Sequence, residues 1–325
     1  MFKISLRNNR IFNCSSEDNL VEGAKKSGVI LEHSCLIGRC SSCKVKVQSG
    51  QSFSTSKELG LTSEEIENGY ILSCVRSPLT DMVLDTEDLS EYNIPSSRVI
   101  PAKIQDIQII GEEIIKVVLR IPPTQSFKFL NGQYVNIIKG SIKRSYSIAN
   151  TNADDHSLEF FIKNYIGGEM SQYWFNKAKK NDLLRIEGPK GTFFRRNQNV
   201  NNLIFLATGT GIAPVKSIME NLKQTSNLKY NIYLFWGNRY NQDFFWDPKE
   251  TDIPVKFFPV LSRDKSAMVN NGYVQDILLK QDLDLSKSAV YACGSEKMIK
   301  EAEFKLVKRG LPEENFFSDA FVISN

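Results

Sequence analysis

Four cysteines set the first chemical possibility. Cys35, Cys40 and Cys43 lie in Ser34-Cys35-Leu36-Ile37-Gly38-Arg39-Cys40-Ser41-Ser42-Cys43, and Cys74 follows in a separate segment. C-x4-C-x2-C with one distant thiolate is the ligand spacing of one class of [2Fe–2S] cluster. Two ferric ions and two sulfides need four soft anionic ligands, and three on a tight loop hold one side of the rhomb. Gly38 permits a left-handed backbone there and leaves its N–H free to face sulfur. Ser41 and Ser42 are small enough for close approach. The competing readings are a redox Cys-x-x-Cys at Cys40 and Cys43, half of a zinc site, or buried structural thiols. A second Cys-x-x-Cys is missing, the chain holds only 2 histidines, and no βαβ pattern surrounds the pair. A one-electron centre accounts best for the spacing.

Two further constellations suit phosphate-bearing ligands. In Lys143-Arg144-Ser145-Tyr146-Ser147-Ile148-Ala149-Asn150, Arg144 offers a fixed fork of donors for a phosphate. Tyr146 offers a flat ring for stacking, and Ser147 is expected to add a hydroxyl on the same side of the strand. Gly167 and Gly168 place bare N–H groups where a helix begins, an anion site that needs no side chain. Farther on, Thr208-Gly209-Thr210-Gly211 follows an apolar strand and opens a helix near Pro214, the geometry for a pyrophosphate at a helix N-terminus. Each piece alone is weak. An Arg/Tyr alternation also suits an exposed face, Cys293 also suits a small buried filler, and Phe321 also suits core packing. Arg239, after the second strand of this region, either serves a 2′-phosphate or faces solvent.

These residues need elements to hold them, and 325 residues allow two or three domains. The hydrophobic fraction of 41% and charged fraction of 24% are those of an ordinary globular chain. No apolar run approaches a membrane span, the N-terminus lacks a signal peptide's apolar core, and Cys14 and Cys293 suggest no disulfide framework. A cytoplasmic location is the expectation. A net charge of +4 without a basic stripe argues against nucleic acid. Residues 1–90 carry 10 Lys+Arg against 12 Asp+Glu, and the remainder carries 31 against 25. The basic remainder suits a polyanionic dinucleotide, although ordinary surface scatter explains it equally well.

Residues 1–90 alternate as strands over Phe2–Leu6, Lys44–Val47 and Asp81–Leu84, with a helix from Asn19 to Ser27. Residues 91–98, polar and with a proline, read as a linker. Residues 99–196 read as an antiparallel barrel, with strands over Ala102–Ile110, Glu113–Ile121, Gln133–Ile138, Arg144–Ala149, Leu158–Lys163 and Leu183–Glu187. One helix, Met170 to Lys179, interrupts it. Residues 197–325 alternate strand (Asn202–Ala207, Asn231–Trp236, Val255–Leu261, Ala289–Ala292) and helix (Ala213–Lys223, Val274–Lys280, Ser295–Lys308). That is the pattern of a parallel α/β sheet.

Arg144-Ser145-Tyr146-Ser147-Ile148-Ala149-Asn150, Gly167-Gly168-Glu169-Met170-Ser171, Glu187-Gly188-Pro189-Lys190-Gly191-Thr192-Phe193 and Gly209-Thr210-Gly211-Ile212-Ala213-Pro214 together resemble the ferredoxin–NADP⁺ reductase superfamily. The resemblance spans residues 99–325, and residues 1–90 resemble its fused plant-type ferredoxin. It implies a multidomain α+β and α/β protein: a β-grasp-like [2Fe–2S] domain, an antiparallel β-barrel FAD domain and a parallel α/β nicotinamide domain. By the same resemblance, Cys35, Cys40, Cys43 and Cys74 hold the cluster, Arg144 the FAD pyrophosphate and Tyr146 the isoalloxazine, while Ser147 approaches flavin N5. Gly168, Met170 and Ser171 bind phosphate, and Gly188, Pro189 and Gly191 shape the turn beside the flavin. Thr208, Gly209, Thr210, Gly211 and Pro214 form the coenzyme turn, with Thr208 where many members have glycine. Cys293 and Gly294 lie against the nicotinamide, and Phe321 shields the flavin until coenzyme displaces it.

Two groups within the superfamily share the three-part order. One feeds oxygenases. The other draws on NADH and serves a pyridoxamine-phosphate-dependent sugar dehydrase in 3,6-dideoxyhexose synthesis for lipopolysaccharide. Ser295, standing where the first group more often has proline, and the tail Phe317-Ser318-Asp319-Ala320-Phe321-Val322-Ile323-Ser324-Asn325 resemble the second. An oxygenase partner stays open, as does a redox sensor, which predicts slow NADH turnover with any acceptor.

Overall fold

Short alternating strands and two capped helices build the N-terminal part of the chain. In the computed structural model, which describes residues 1–151, 156–224, 229–264 and 270–322, this part forms a unit of its own, Met1–Ile94, apart from Pro95–Asn325. Its elements are β1 (Phe2–Leu6), β2 (Ile11–Cys14), α1 (Leu20–Lys26), β3 (Lys44–Ser49), β4 (Ser52–Ser54), α2 (Ser63–Glu67), β5 (Tyr70–Leu72), β6 (Arg76–Pro78) and β7 (Met82–Leu84). The main sheet runs β2-β1-β7-β3-β5, with β1 and β7 parallel and the other pairs antiparallel. Its inward side chains, among them Ile4, Leu6, Phe12, Val45 and Leu84, close on α1 through Leu20 and Ala24. The expected helix limits, Asn19 and Ser27, are its caps: the Asn19 side chain accepts from the Glu22 amide, and Lys25 and Lys26 suit the last turn. Four strands went unread, β2, β4, β5 and β6, because three or four residues are too short to show a period. So did α2, whose Thr62–Glu65 capping box starts a helix with no buried residue.

The second unit opens with β8 (Arg98–Gly111), β9 (Ile114–Arg120), β10 (Tyr134–Lys139), β11 (Ile142–Ser147), β12 (Ser157–Lys163), α3 (Glu169–Asn176) and β13 (Leu183–Lys190). These strands form one antiparallel sheet, β11-β10-β13-β8-β9-β12, around a core that includes Val117, Phe129, Ile137, Phe160 and Trp174. It is an open half-barrel with β11 and β12 as its edges. Alternation explains it: β9 buries Ile115, Val117 and Leu119 and turns Lys116 and Val118 outward.

The chain continues through β14 (Asn202–Thr208), α4 (Ile212–Leu222), β15 (Asn231–Asn238), β16 (Val255–Leu261), β17 (Asn270–Asn271), α5 (Val274–Leu278), β18 (Ser288–Gly294), α6 (Glu296–Lys308) and β19 (Phe316–Ala320). The strands form one parallel sheet, β17-β16-β15-β14-β18-β19. The central strands β14 and β18 are buried along nearly their whole length, as a sheet covered on both faces requires. The edge strand β19 was not expected, since Ser318 and Asp319 break its apolar run.

Candidate functional site

The cluster loop is held by backbone, not by packing. Leu36, Gly38 and Ser41 adopt φ of 60°, 71° and 62°, turning successive amides inward. Gly38 has no room for a Cβ, which would stand 2.7 Å from the Lys57 carbonyl oxygen. Ser41 donates to the Gly60 carbonyl at 2.7 Å, and the Gly60 amide donates to the Gly38 carbonyl at 3.0 Å, so the 57–60 segment clamps the loop.

The four cysteines come together as two pairs. The Cys35 amide donates to Cys40 Sγ at 3.3 Å, the Cys40 amide returns the bond to Cys35 Sγ at 3.4 Å, and Ile37 adds a third amide at 3.5 Å. Cys43 Sγ lies 3.1 Å from Cys74 Sγ. Within the first pair the Cys40 thiol and the surrounding amides hold Cys35 well below the ordinary thiol value, while Cys40 is pushed up. Cys74 is likewise lowered, first by Cys43 and then by backbone amides that include Gly38, the contact expected of that glycine. Donors aimed at sulfur favour thiolates. Among the described residues no three His, Cys, Asp or Glu side chains converge as a site for a single metal ion. Two thiol pairs suit two irons better than one tetrahedral zinc. The donor set fits a [2Fe–2S] cluster.

In the second unit β11 carries the residues that the resemblance assigns to a flavin. Its alternation puts Ile142, Arg144 and Tyr146 on one half-buried face. Ser147, directly after Tyr146, falls on the opposite face, so the expectation that the two share a side is corrected. Ser147 is buried. The Tyr146 hydroxyl accepts from Trp174 Nε1 at 3.0 Å with the rings edge to face, so the phenol is fixed from within the barrel. Burial pushes its pKa up, keeping it neutral. Arg144 donates to the adjacent Lys143 carbonyl at 2.8 Å. Gly168 caps α3, and Ser171 accepts from the Tyr165 amide at 3.0 Å. The Met170 side chain belongs to the barrel core, which leaves its backbone for a ligand. Gly188 lies against Val135, where a Cβ would meet Cγ1 at 2.7 Å, and Gly191, at φ 81°, accepts from Gln133 Nε2 at 2.8 Å.

The coenzyme turn runs from Thr208 to Gly211 into α4, with Pro214 in the helix's first turn. Gly209 has φ 53°, and Trp236 Nε1, from the neighbouring strand, donates to its carbonyl at 3.0 Å. Gly211 packs so closely that a Cβ would lie 2.3 Å from the Cys293 carbonyl oxygen; at Gly294, φ 128°, one would lie 2.2 Å from Thr208 Oγ1. Thr208 has a use that a glycine would lack: its hydroxyl accepts from the Ser295 amide at 2.9 Å, joining the turn to the end of β18. Cys293 is fully buried, and burial, with Asp319 across the β18–β19 ladder, pushes its thiol well above the ordinary value. Phe321, half-buried, is tied to this spot by its amide donating to the Gly294 carbonyl at 2.8 Å. Asp319, which in the sequence is only part of the tail, is 4% exposed, and the ladder makes it Cys293's neighbour. Arg239 is exposed. Residues 323–325 of the tail lie outside the described residues.

Residues 4–79 match the model of 2Fe-2S iron-sulfur cluster binding domains, 101–194 that of oxidoreductase FAD-binding domains, and 205–303 that of oxidoreductase NAD-binding domains. The chain is 37% identical, over 97% of its length and 96% of the relative's, to a CDP-6-deoxy-L-threo-D-glycero-4-hexulose-3-dehydrase reductase of Yersinia pestis. It is 28% identical, over 97% and 96%, to the reductase component of a naphthalene 1,2-dioxygenase system of Pseudomonas putida. A solved structure, the cytochrome P450 reductase GcoB of Amycolatopsis, matches with a TM-score of 0.74 at 24% identity over 99% of each chain, a likeness of fold.

Proposed function

The chain belongs to the family of oxidoreductases that join a [2Fe–2S] domain to FAD- and NAD-binding domains and include the Yersinia reductase, and we propose that it passes electrons from NADH to a pyridoxamine-phosphate-dependent CDP-6-deoxy-hexulose 3-dehydrase. Electron transfer through the three groups follows from that membership; the acceptor and the residue roles are our reading. Bound FAD and a [2Fe–2S] cluster together supply the conversion of a hydride into single electrons. The thiol pairing, Cys35 with Cys40 and Cys43 with Cys74, is the observation that most supports it.

The chain's own residues bind, orient and exclude water. Arg144 holds the FAD pyrophosphate, the α3 start at Gly168, Met170 and Ser171 assists it, and Tyr146 stacks on the isoalloxazine with its hydroxyl anchored by Trp174. Ser147 is assigned the hydroxyl near flavin N5 on the family resemblance, not on its face of β11. Thr208, Gly209, Thr210, Gly211 and Pro214 receive the coenzyme pyrophosphate at the start of α4. Cys293, a neutral thiol, borders the nicotinamide with Gly294, and Phe321 covers the flavin until coenzyme displaces it. We assign residues 1–90 to the cluster domain, 91–98 to a linker, 99–196 to the FAD domain and 197–325 to the coenzyme domain. Among the described residues no helix is long and apolar enough to cross a membrane, and we place the protein in the cytoplasm.

Anaerobic NADH consumption by the purified chain, with CDP-6-deoxy-hexulose and its dehydrase present, tests the acceptor. Sugar-dependent consumption yielding a 3-deoxy product is the expected result. Brisk ferricyanide or cytochrome c reduction without sugar turnover transfers the role to an oxygenase, which the naphthalene dioxygenase relative favours.

A further inference from the structure

Helix α4 starts at the coenzyme turn, yet three of its side chains hold the continuation of the flavin strand. Lys216 is 7% exposed, and its ammonium donates to the Ala149 carbonyl at 3.1 Å. The same nitrogen lies 3.1 Å from Glu159 Oε1 and 2.7 Å from Glu220 Oε1. Ser217, fully buried, donates to the Asn150 carbonyl at 2.7 Å and is held by Asn131 Nδ2 at 3.0 Å. Glu220 Oε2 accepts from the Thr151 amide at 3.2 Å. One helix face therefore engages three consecutive residues, Ala149, Asn150 and Thr151, beginning two positions after Ser147.

Stability alone is a poor account of this arrangement. Burying an ammonium carries a desolvation penalty, and well-packed apolar residues of similar volume often hold such a seam as well or better. Apolar contacts, however, tolerate sliding. A lysine satisfied by one carbonyl and two carboxylates accepts a single axial and rotational setting of the helix.

We propose that Lys216 is a positioning residue for hydride transfer, fixing the Thr208–Gly211 turn against the strand that carries Tyr146 and Ser147. The inference rests on the proposed roles of those two segments. Hydride transfer is sensitive to small misplacements, because reacting atoms must be held near contact distance.

Stopped-flow reduction of the FAD-loaded protein by NADH and by 4-deuterated NADH tests it. In Lys216→Met the limiting rate falls at least about ten-fold, the dissociation constant for NADH changes little, and the isotope effect grows as chemistry becomes slower. FAD stays stoichiometric, and Lys216→Arg recovers part of the rate. A Lys216→Met protein with a lowered melting temperature but the wild-type limiting rate and isotope effect overturns the inference. Should that variant fail to fold, Glu220→Gln, altered at a partly exposed side chain, gives the same reading, and an unchanged rate there also overturns it. An unaltered protein whose FAD is not reduced by NADH sinks the proposed function and this inference together; the Lys216 result alone sinks only the inference.

Discussion

The cluster loop and the coenzyme turn are built by the same device for opposite purposes. Both press backbone on backbone where no Cβ fits: Gly38 against Lys57, and Gly211 and Gly294 against Cys293 and Thr208. In the cluster loop the ligand atoms are side-chain sulfurs, and the backbone serves them with amides. In the proposed coenzyme turn the backbone amides meet the pyrophosphate, so a position with room for a side chain can differ from glycine, and Thr208 does so to tie the turn to Ser295. A side-chain site is therefore specific in sequence, whereas a backbone site is specific in shape.

The largest effect that sharpens this contrast belongs to Gly294→Val. With φ 128° and Thr208 Oγ1 2.2 Å from the would-be Cβ, the turn must shift. NADH-driven dye reduction should drop by about a hundred-fold, with the visible spectrum of the cluster unchanged; near-normal turnover would break the comparison. Gly38→Ala should do the reverse. Strain of about 1–3 kcal/mol in the loop speeds cluster loss to chelator, while dye reduction by NADH is retained.

A small effect comes from Glu187, in neither site. Burial by itself would raise its carboxyl, but Lys143, Asn136 and Lys190 bring it down to about 2. A carboxylate lowered on folding stabilises above its ordinary value of 4.5, and that contribution disappears as pH falls from there toward 2. Urea melts of Glu187→Gln should thus show a deficit at pH 7 that shrinks below pH 4.5; a deficit constant with pH contradicts the ion-pair account.

Legibility followed the same division. The cysteine spacing pointed to the cluster directly, because four thiolates at those intervals have few other uses, although which thiols pair appeared only in the fold. Long, regularly patterned strands such as β9 and β14 were readable, and α1 was readable to its caps. The flavin and coenzyme turns needed a resemblance, since glycine, serine and threonine report shape without naming a ligand. Lys216, Ser217 and Asn131 were not read as partners at all: their bonds join residues 67 and 86 positions apart. Asp319 was overlooked as a neighbour of Cys293 because β19 is a short edge strand whose polar residues hide its period.

Cys40→Ser is the most direct measurement of the central claim, that hydride chemistry resides in one unit and single-electron delivery in the other. Electron delivery to the dehydrase should vanish with the cluster, while NADH still reduces a dye that accepts electrons from the flavin. Equal loss of both activities would contradict that division.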